Sequence, residues 1–434
     1  MQRDVTLVLD NPSSSLKQRV IKLYQLLGPG IMLAAAAVGG SHLVASTQAG
    51  ALYGWQLVGL ILLVNLLKYP FFRAGVQYTM GTGKTLIEGY AEMGRPYLLV
   101  FAVLAAFSAV VNVAALLLFS ASLWLLFVPT SWAGLPWALL IMAACLAILI
   151  GGHYRLLDSL SKWLMLALTI ATCSAVAIAA GAPSITDPNF VSPSPWTLAS
   201  LGFLVATMGW MPAPIDIAAI NTLWLQRHCK TTEVNFKQAL LDFNVGYIGT
   251  AVLAVVFVAL GALVMHGTGV VLEKSGTGFT HQLVSMFTSV IGDWAHYLIS
   301  TVAFLTIFGS TITALDGYSR AVAESHRLLC DQGVNYDPQT NARHYSKWLL
   351  AVGLGSVAIV VSFSSSLLGM LNFAMVAAFT TTPVFALLNY LLVSDARLPA
   401  QYHSPTWVKL LSKLGLVALF GFLALFIWWK FFYL

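Results

Sequence analysis

Charge is what this sequence has least of. Only 9% of its 434 residues are Asp, Glu, Lys or Arg, against roughly a quarter in a soluble globular domain. Hydrophobic residues make up 59%, and the mean hydropathy is +0.82. A soluble globular class is therefore excluded, and lipid must surround most of the chain. Cysteine is scarce as well. Cys145 and Cys173 fall in apolar runs, Cys229 and Cys330 in basic connections, and no pair has metal-ligand spacing or reads as a disulfide framework. Regular apolar–polar alternation is missing, which argues against a membrane β-barrel. The first 26 residues are polar and contain no visible cleavable signal peptide. HExxH, GxSxG and paired carboxylates for acid–base work are also absent, so the expectation is not an enzyme. The segment GKTLIEGY at 83–90 is too short and charged to span, and lacks full phosphate-loop spacing.

What the chain does have is long apolar runs. Windows of about 20 residues predict an all-α membrane protein with eleven spans. They lie near 27–53, 55–77, 97–127, 132–150, 156–180, 197–225, 238–265, 294–318, 345–364, 367–393 and 407–433. Nineteen of the 22 Lys and Arg residues fall on one set of connections, only Lys274 and Lys430 on the other, and Lys68 lies inside the second span. The positive-inside rule then places the N-terminus in the cytoplasm and the C-terminus outside or in the periplasm, in an integral multi-pass protein of the inner or plasma membrane. The net charge of +6 belongs to these loops, not to a nucleic-acid surface. Lys68 is expected to snorkel towards the inner interface. Asp158, Asp242 and Asp316, near cytoplasmic span ends, are expected to pair with basic loop residues or to form an inner gate.

Two spans are interrupted. The first contains Gly39-Gly40-Ser41-His42; the sixth reads ATMGWMPAPIDI over 206–217, with Gly209, Pro212 and Pro214 inside it. Glycine and proline both weaken a helix. Five spans separate the breaks, so they occupy equivalent places in two five-span halves, which an odd number of spans forces to be inverted. Paired interruptions of this kind mark the midplane site of a transporter with alternating access. The implied organisation is a tail at 1–26, a first five-helix repeat at 27–180, an outer loop at 181–196, an inverted repeat at 197–393, and a loop with helix eleven at 394–434. The expected partners are the lipid bilayer and a small ionic substrate; the oligomeric state stays open, a monomer being the simplest case.

Several of these residues resemble the Nramp (natural-resistance-associated macrophage protein) family. GPG at 28–30, the break eight residues later, Gln48-Ala49-Gly50-Ala51 and Tyr53-Gly54 are similar to that family's first helix, Met211-Pro212 to the start of its Met-Pro-His motif, and TTPVFAL at 381–387 to its tenth helix. The resemblance implies a LeuT-like fold: ten core helices as two inverted five-helix repeats, helices one and six broken at mid-membrane, plus an eleventh. It also exposes departures. Where the family binds divalent metal with Asp-Pro-Gly-Asn, this chain has Gly39, Gly40, Ser41 and His42. The His of Met-Pro-His is Ala213, and the third span, FSAVVNVAALLLFSASL at 107–123, contains no acidic residue. In the tenth helix a polar family position falls at Met375, with Asn372 nearby.

The expected substrate site comprises Gly39, Gly40, Ser41, His42, Gly209, Trp210, Met211 and Ala213. Loss of the helix-one carboxylate favours a small anion, bicarbonate or a short carboxylate. Such an anion would be held by backbone N–H groups freed at the break, the Ser41 hydroxyl and the His42 imidazole. The alternative is a divalent metal such as manganese or iron on His42, Met211 and Asp216. Asp216 reads either as the cap of its own helix start or as a cation ligand. In sodium-coupled LeuT-like proteins a hydroxyl pair on helix eight faces helix one. Ser310 and Thr311, with Thr313, resemble that pair, so sodium is the expected coupling ion and a proton the alternative. Against this, Ser and Thr also bond back to their own helix carbonyls. No other cofactor is implied. A non-transporting sensor is the third functional class.

Overall fold

The computed structural model describes residues 28–128, 134–152, 154–183, 187, 189–330 and 338–433. Every regular element among them is helical. The first expected span is α1 (Pro29–Ala37), a π-helical turn at Ser41–Ser46 and α2 (Thr47–Tyr53), bent by 43° across the break. Next come α3 (Val58–Thr82), the short α4 (Leu86–Met93), α5 (Arg95–Trp124), α6 (Gly134–Ile150) and α7 (Tyr154–Gly181). The sixth expected span is split into α8 (Leu201–Trp210) and α9 (Ile217–Thr231). It is followed by α10 (Phe236–Val264), α11 (Gly276–Ile291), α12 (His296–Cys330), α13 (Pro338–Phe363), α14 (Leu367–Leu392) and α15 (Thr406–Phe432).

Among the described residues, eight helices are long and apolar enough to cross a membrane singly, and the bent α1–α2 pair makes nine. The two remaining expected spans fall on α6, with 17 residues, and on the broken α8–α9 pair. Two helices were read from the sequence only as connection. Thr85 and Glu88 form a reciprocal capping box that starts α4, and Ser275 caps α11 through the Gly278 amide. The N-terminal tail, Asp158 and the basic side chains Arg155 and Lys162 lie outside the described residues or side chains.

Close backbone approach fixes how the first span sits. A Cβ on Gly50 would collide with the carbonyl of Val258, and one on Gly261 with that of Thr47, so α2 and α10 meet backbone to backbone. Small residues are the usual means of such contact in lipid, where hydrophobicity gives helices no reason to associate. At the other end of this seam, the Asp242 carboxylate of α10 accepts hydrogen bonds from Gly28 N (3.1 Å) and Gly30 N (2.6 Å). It thereby caps the first turn of α1, whose Pro29 has no N–H and needs no acceptor. These bonds stand in place of the expected pairing of Asp242 with a basic loop residue. Asp316 does pair as expected: it accepts from Arg320 Nε at 2.9 Å and from Tyr345 OH at 2.6 Å.

Candidate functional site

Both breaks border one narrow cavity of about 50 Å³. Gly40 and Ser41 come to it from the first span, Trp210 from the end of α8, Ala213 and Pro214 from the linker of the sixth, and Ile217 and Trp224 from α9. On the far side α5 contributes Asn112, and α12 contributes Ser310, Thr313 and Tyr318. Trp210 is held in place by a chain of bonds. Its Nε1–H donates to Asn112 Oδ1 at 3.1 Å, and Asn112 Nδ2 donates to Tyr318 OH at 3.2 Å and to Ser108 O at 2.9 Å. Asn112, Trp224 and Tyr318 were not among the expected site residues. An amide alone in the apolar run of the third span was the signal for Asn112.

The first break is a bend with a π-turn, not an opened helix, and this redirects its side chains. The Cα of Gly39 packs against the Ser310 side chain, where a Cβ would not fit. Gly40 faces the Trp210 ring, and the Ser41 hydroxyl donates to Ala37 O. His42 is fully buried on the opposite side of the turn. Its Nε2 lies 2.9 Å from Thr250 O on α10; a carbonyl only accepts, so Nε2 carries the hydrogen there. The other ring nitrogen is 2.8 Å from Ser41 Oγ, and the ring meets Phe257 edge-on. The imidazole therefore faces α10 and lies outside the cavity lining.

The second break is a true interruption from Met211 to Asp216. Gly209 lets α8 pack against the Met375 carbonyl of α14. Met211 is buried outside the cavity lining, with its sulfur 3.5 Å from Ser46 Oγ. The N–H groups of Ile217, Ala218 and Ala219 already donate to the carbonyls of Pro214, Ile215 and Asp216, so none of these three is free for a ligand. Asp216 holds the N-cap position of α9 yet its side chain makes no capping bond, which removes the capping reading. The carboxylate is 3% exposed, and neither oxygen reaches hydrogen-bond geometry, although the Ser108 and Tyr318 hydroxyls stand beside it.

Lys68 is the largest departure from expectation. It does not snorkel. The side chain is fully buried, and Nζ donates to Met208 O (2.6 Å), Gly209 O (2.9 Å) and Ala213 O (3.4 Å) at the second break. The expected sodium ligands, by contrast, are split by helical geometry. Ser310 and Thr313, three residues apart, share the face towards the cavity. Thr311 turns to α5, donating to Ile307 O at 2.8 Å and meeting Ser120 Oγ at 2.9 Å. Among the described residues no three His, Cys, Asp or Glu side chains gather as a metal site. Asn372 and Met375 are likewise apart from the cavity: Asn372 lines a lateral groove with Phe203 and Trp429.

The model of the Nramp family (natural resistance-associated macrophage protein-like) matches residues 30–429. The chain belongs to the Nramp family. A relative of this Nramp-family chain, an uncharacterized protein of Pasteurella multocida (strain Pm70), is 45% identical over 407 residues, covering 93% of this chain and 92% of the relative. Among solved structures, a point mutant of the Eremococcus coleocola manganese transporter superposes with TM-score 0.67 at 15% identity, over 95% of this chain and 88% of that one. Mhp1, a nucleobase-cation-symport-1 family transporter in a closed conformation with bromovinylhydantoin bound, gives TM-score 0.58 at 14% identity, over 93% and 92%. At these identities the likeness is one of fold: this Nramp-family chain is an all-helical, multi-pass membrane protein with LeuT-like architecture.

Proposed function

We propose that the chain is a secondary transporter that gives alternating access to the cavity between its two breaks, and that its cargo is a small organic cation. The observation that carries this reading is Asp216. It is a buried carboxylate whose two oxygens meet no partner in hydrogen-bond geometry, with the Ser108 and Tyr318 hydroxyls beside it, and Tyr318 also lines the cavity together with Trp210 and Trp224. A carboxylate behind aromatic faces attracts a cation without requiring a full set of ligands. An anion finds the opposite: the first-turn amides of α9 are already bonded, the Ser41 hydroxyl is used internally, and Asp216 repels negative charge. Bicarbonate and short carboxylates, expected from the residue types alone, are thus disfavoured. Sodium coupling through Ser310, Thr311 and Thr313 loses support from the outward turn of Thr311.

A divalent metal is the second reading, favoured by the fold likeness to a manganese transporter. It lacks a gathered ligand set, since no three His, Cys, Asp or Glu side chains come together among the described residues, and one carboxylate compensates poorly for dehydrating a divalent ion. Uptake into proteoliposomes distinguishes the readings. Labelled guanidinium and tetramethylammonium, both permanently charged, should enter saturably, and entry should be lost in Asp216→Asn. Manganese entry read by an internal dye, with no organic-cation uptake, would replace this reading with the metal one. Uptake of labelled acetate or bicarbonate alone would overturn both.

A further inference from the structure

Proline decides where the orphaned backbone groups of the sixth span lie. In an unbroken helix the carbonyls of Met208 and Trp210 would accept from residues 212 and 214, and both are proline, which has no N–H. Gly209 O would accept from Ala213 N, but α8 has already ended at Trp210. Carbonyls left at the C-terminal end of a helix carry partial negative charge, and deep in a membrane no water reaches them. Here Met208 O, Gly209 O and Ala213 O converge on a single point. An ammonium offers three donors, and Lys68 Nζ places them on those three oxygens, at 2.6, 2.9 and 3.4 Å, with the whole side chain at 0% exposure. Asp216 is close enough for its charge to act on Lys68, and it also acts on Tyr90 of α4 and Tyr318 of α12.

Carbonyls gathered by an unwound helix are the means by which membrane proteins bind small monovalent cations. We propose that the carbonyls of Met208, Gly209 and Ala213 form such a cation site, filled by the tethered ammonium of Lys68 in place of a dissociable ion. The site then holds the second break in shape under every ionic condition. Because its cation cannot leave, it takes no part in coupling to an ion gradient. The ligand class of the vacated site is small monovalent cations: sodium, potassium or an alkylammonium that fits where the lysine head sat.

The test is thermal unfolding of the full chain in detergent, in choline, sodium, potassium and methylammonium chloride at equal ionic strength. Wild-type Tm should be the same in all four. Lys68→Ala should have a lower Tm in choline and regain part of the loss in sodium, potassium or methylammonium. Lys68→Met, whose side chain refills the space, should be lowered without rescue. Wild-type protein stabilised by sodium over choline would overturn the proposal, and so would a Lys68→Ala loss that is the same in every salt. If Lys68→Ala yields no folded protein, Lys68→Gln decides the matter. It keeps N–H donors without charge, so a wild-type Tm would mean hydrogen bonding alone suffices and would overturn the cation site, whereas a lowered Tm upholds it. None of these readouts needs a known cargo, so their failure leaves the transport reading untouched.

Discussion

Asp242 provides the sharpest test of how the first span is anchored. Its carboxylate is 5% exposed and accepts from two amides of another helix, Gly28 N and Gly30 N. Hydrogen bonds to a charged group are each worth roughly 1.5–3 kcal/mol. An anion at a helix start adds about 0.3–1 kcal/mol, and up to about 2 where partly buried. Asp242→Ala loses both bonds and the charge and leaves two amides unbonded, so a cost of about 3–5 kcal/mol is expected. Asp242→Asn loses the charge but keeps one acceptor oxygen, so about half that cost remains. Melting of the detergent-purified protein, followed by intrinsic tryptophan fluorescence, should rank wild type above Asp242→Asn and Asp242→Ala lowest. The spacing should be the same in 50 mM and 500 mM salt, because buried bonds are little screened. An exposed ion pair or gate would instead give losses that shrink with salt. Equal Tm for Asp242→Ala and wild type, or a salt-dependent gap, would refute the capping assignment.

Three further perturbations follow from the geometry. Gly50→Ala drives a methyl group into the Val258 carbonyl, and overpacking a tight seam costs roughly 1–3 kcal/mol. Gly249→Ala, on the same α10 with nothing within 4 Å of the added Cβ, should instead gain up to about 1 kcal/mol from helix propensity. A destabilised Gly249→Ala alongside a neutral Gly50→Ala would contradict the seam. Asp395, exposed before α15, is held below the usual carboxylate range by the hydrogen bond from Lys409 at 2.5 Å. A depressed folded value means that its contribution is present above the unfolded value, about 3.9, and is lost as pH falls through the folded one. His403 Nδ1 also lies 3.7 Å from this carboxylate and supports its charged form when protonated. The Tm gap between wild type and Asp395→Asn should therefore be small at neutral pH and close in buffer well below about pH 4; a gap that persists there would exclude the assignment.

The sequence is most legible where its chemistry is local. Proline and glycine place the breaks at Gly39–His42 and near Pro212 and Pro214, and hydropathy places the long helices, because these effects depend on a few neighbouring residues. What escapes is partnership at long range and orientation within a turn. Lys68 reads as a snorkelling lysine until its carbonyl partners, some 140 residues away, are seen. Residues 310, 311 and 313 look like one hydroxyl cluster in a line of text, yet about 100° per residue sends Thr311 to Ser120 and keeps Ser310 and Thr313 on the cavity. His42 is misread for a related reason: the π-turn at Ser41–Ser46 accommodates an extra residue per turn, and no local residue preference announces it. Amphipathic α4 and α11 do not stand out because hydropathy marks long apolar runs, and these helices are short and polar on one face.

The two breaks are therefore unlike in mechanics as well as in sequence. At the second, the prolines remove donors and Lys68 supplies others, so that the helix ends and the ammonium depend on each other: α8 cannot continue through Pro212 and Pro214, and Lys68 takes its acceptors from the carbonyls freed there. That break is braced. At the first, no proline interrupts the chain between Ala37 and Tyr53, the π-turn keeps its backbone bonded, and Leu43 N donates to Gly39 O at 3.3 Å. A π-turn converts to an α-turn by shifting bonds one carbonyl along, with no net loss of donors. On the proposed transport reading, movement that opens and closes the cavity would cost least at Gly39–Ser46. It would carry Gly40 and Ser41 towards or away from Trp210 while the Lys68-braced linker stays fixed.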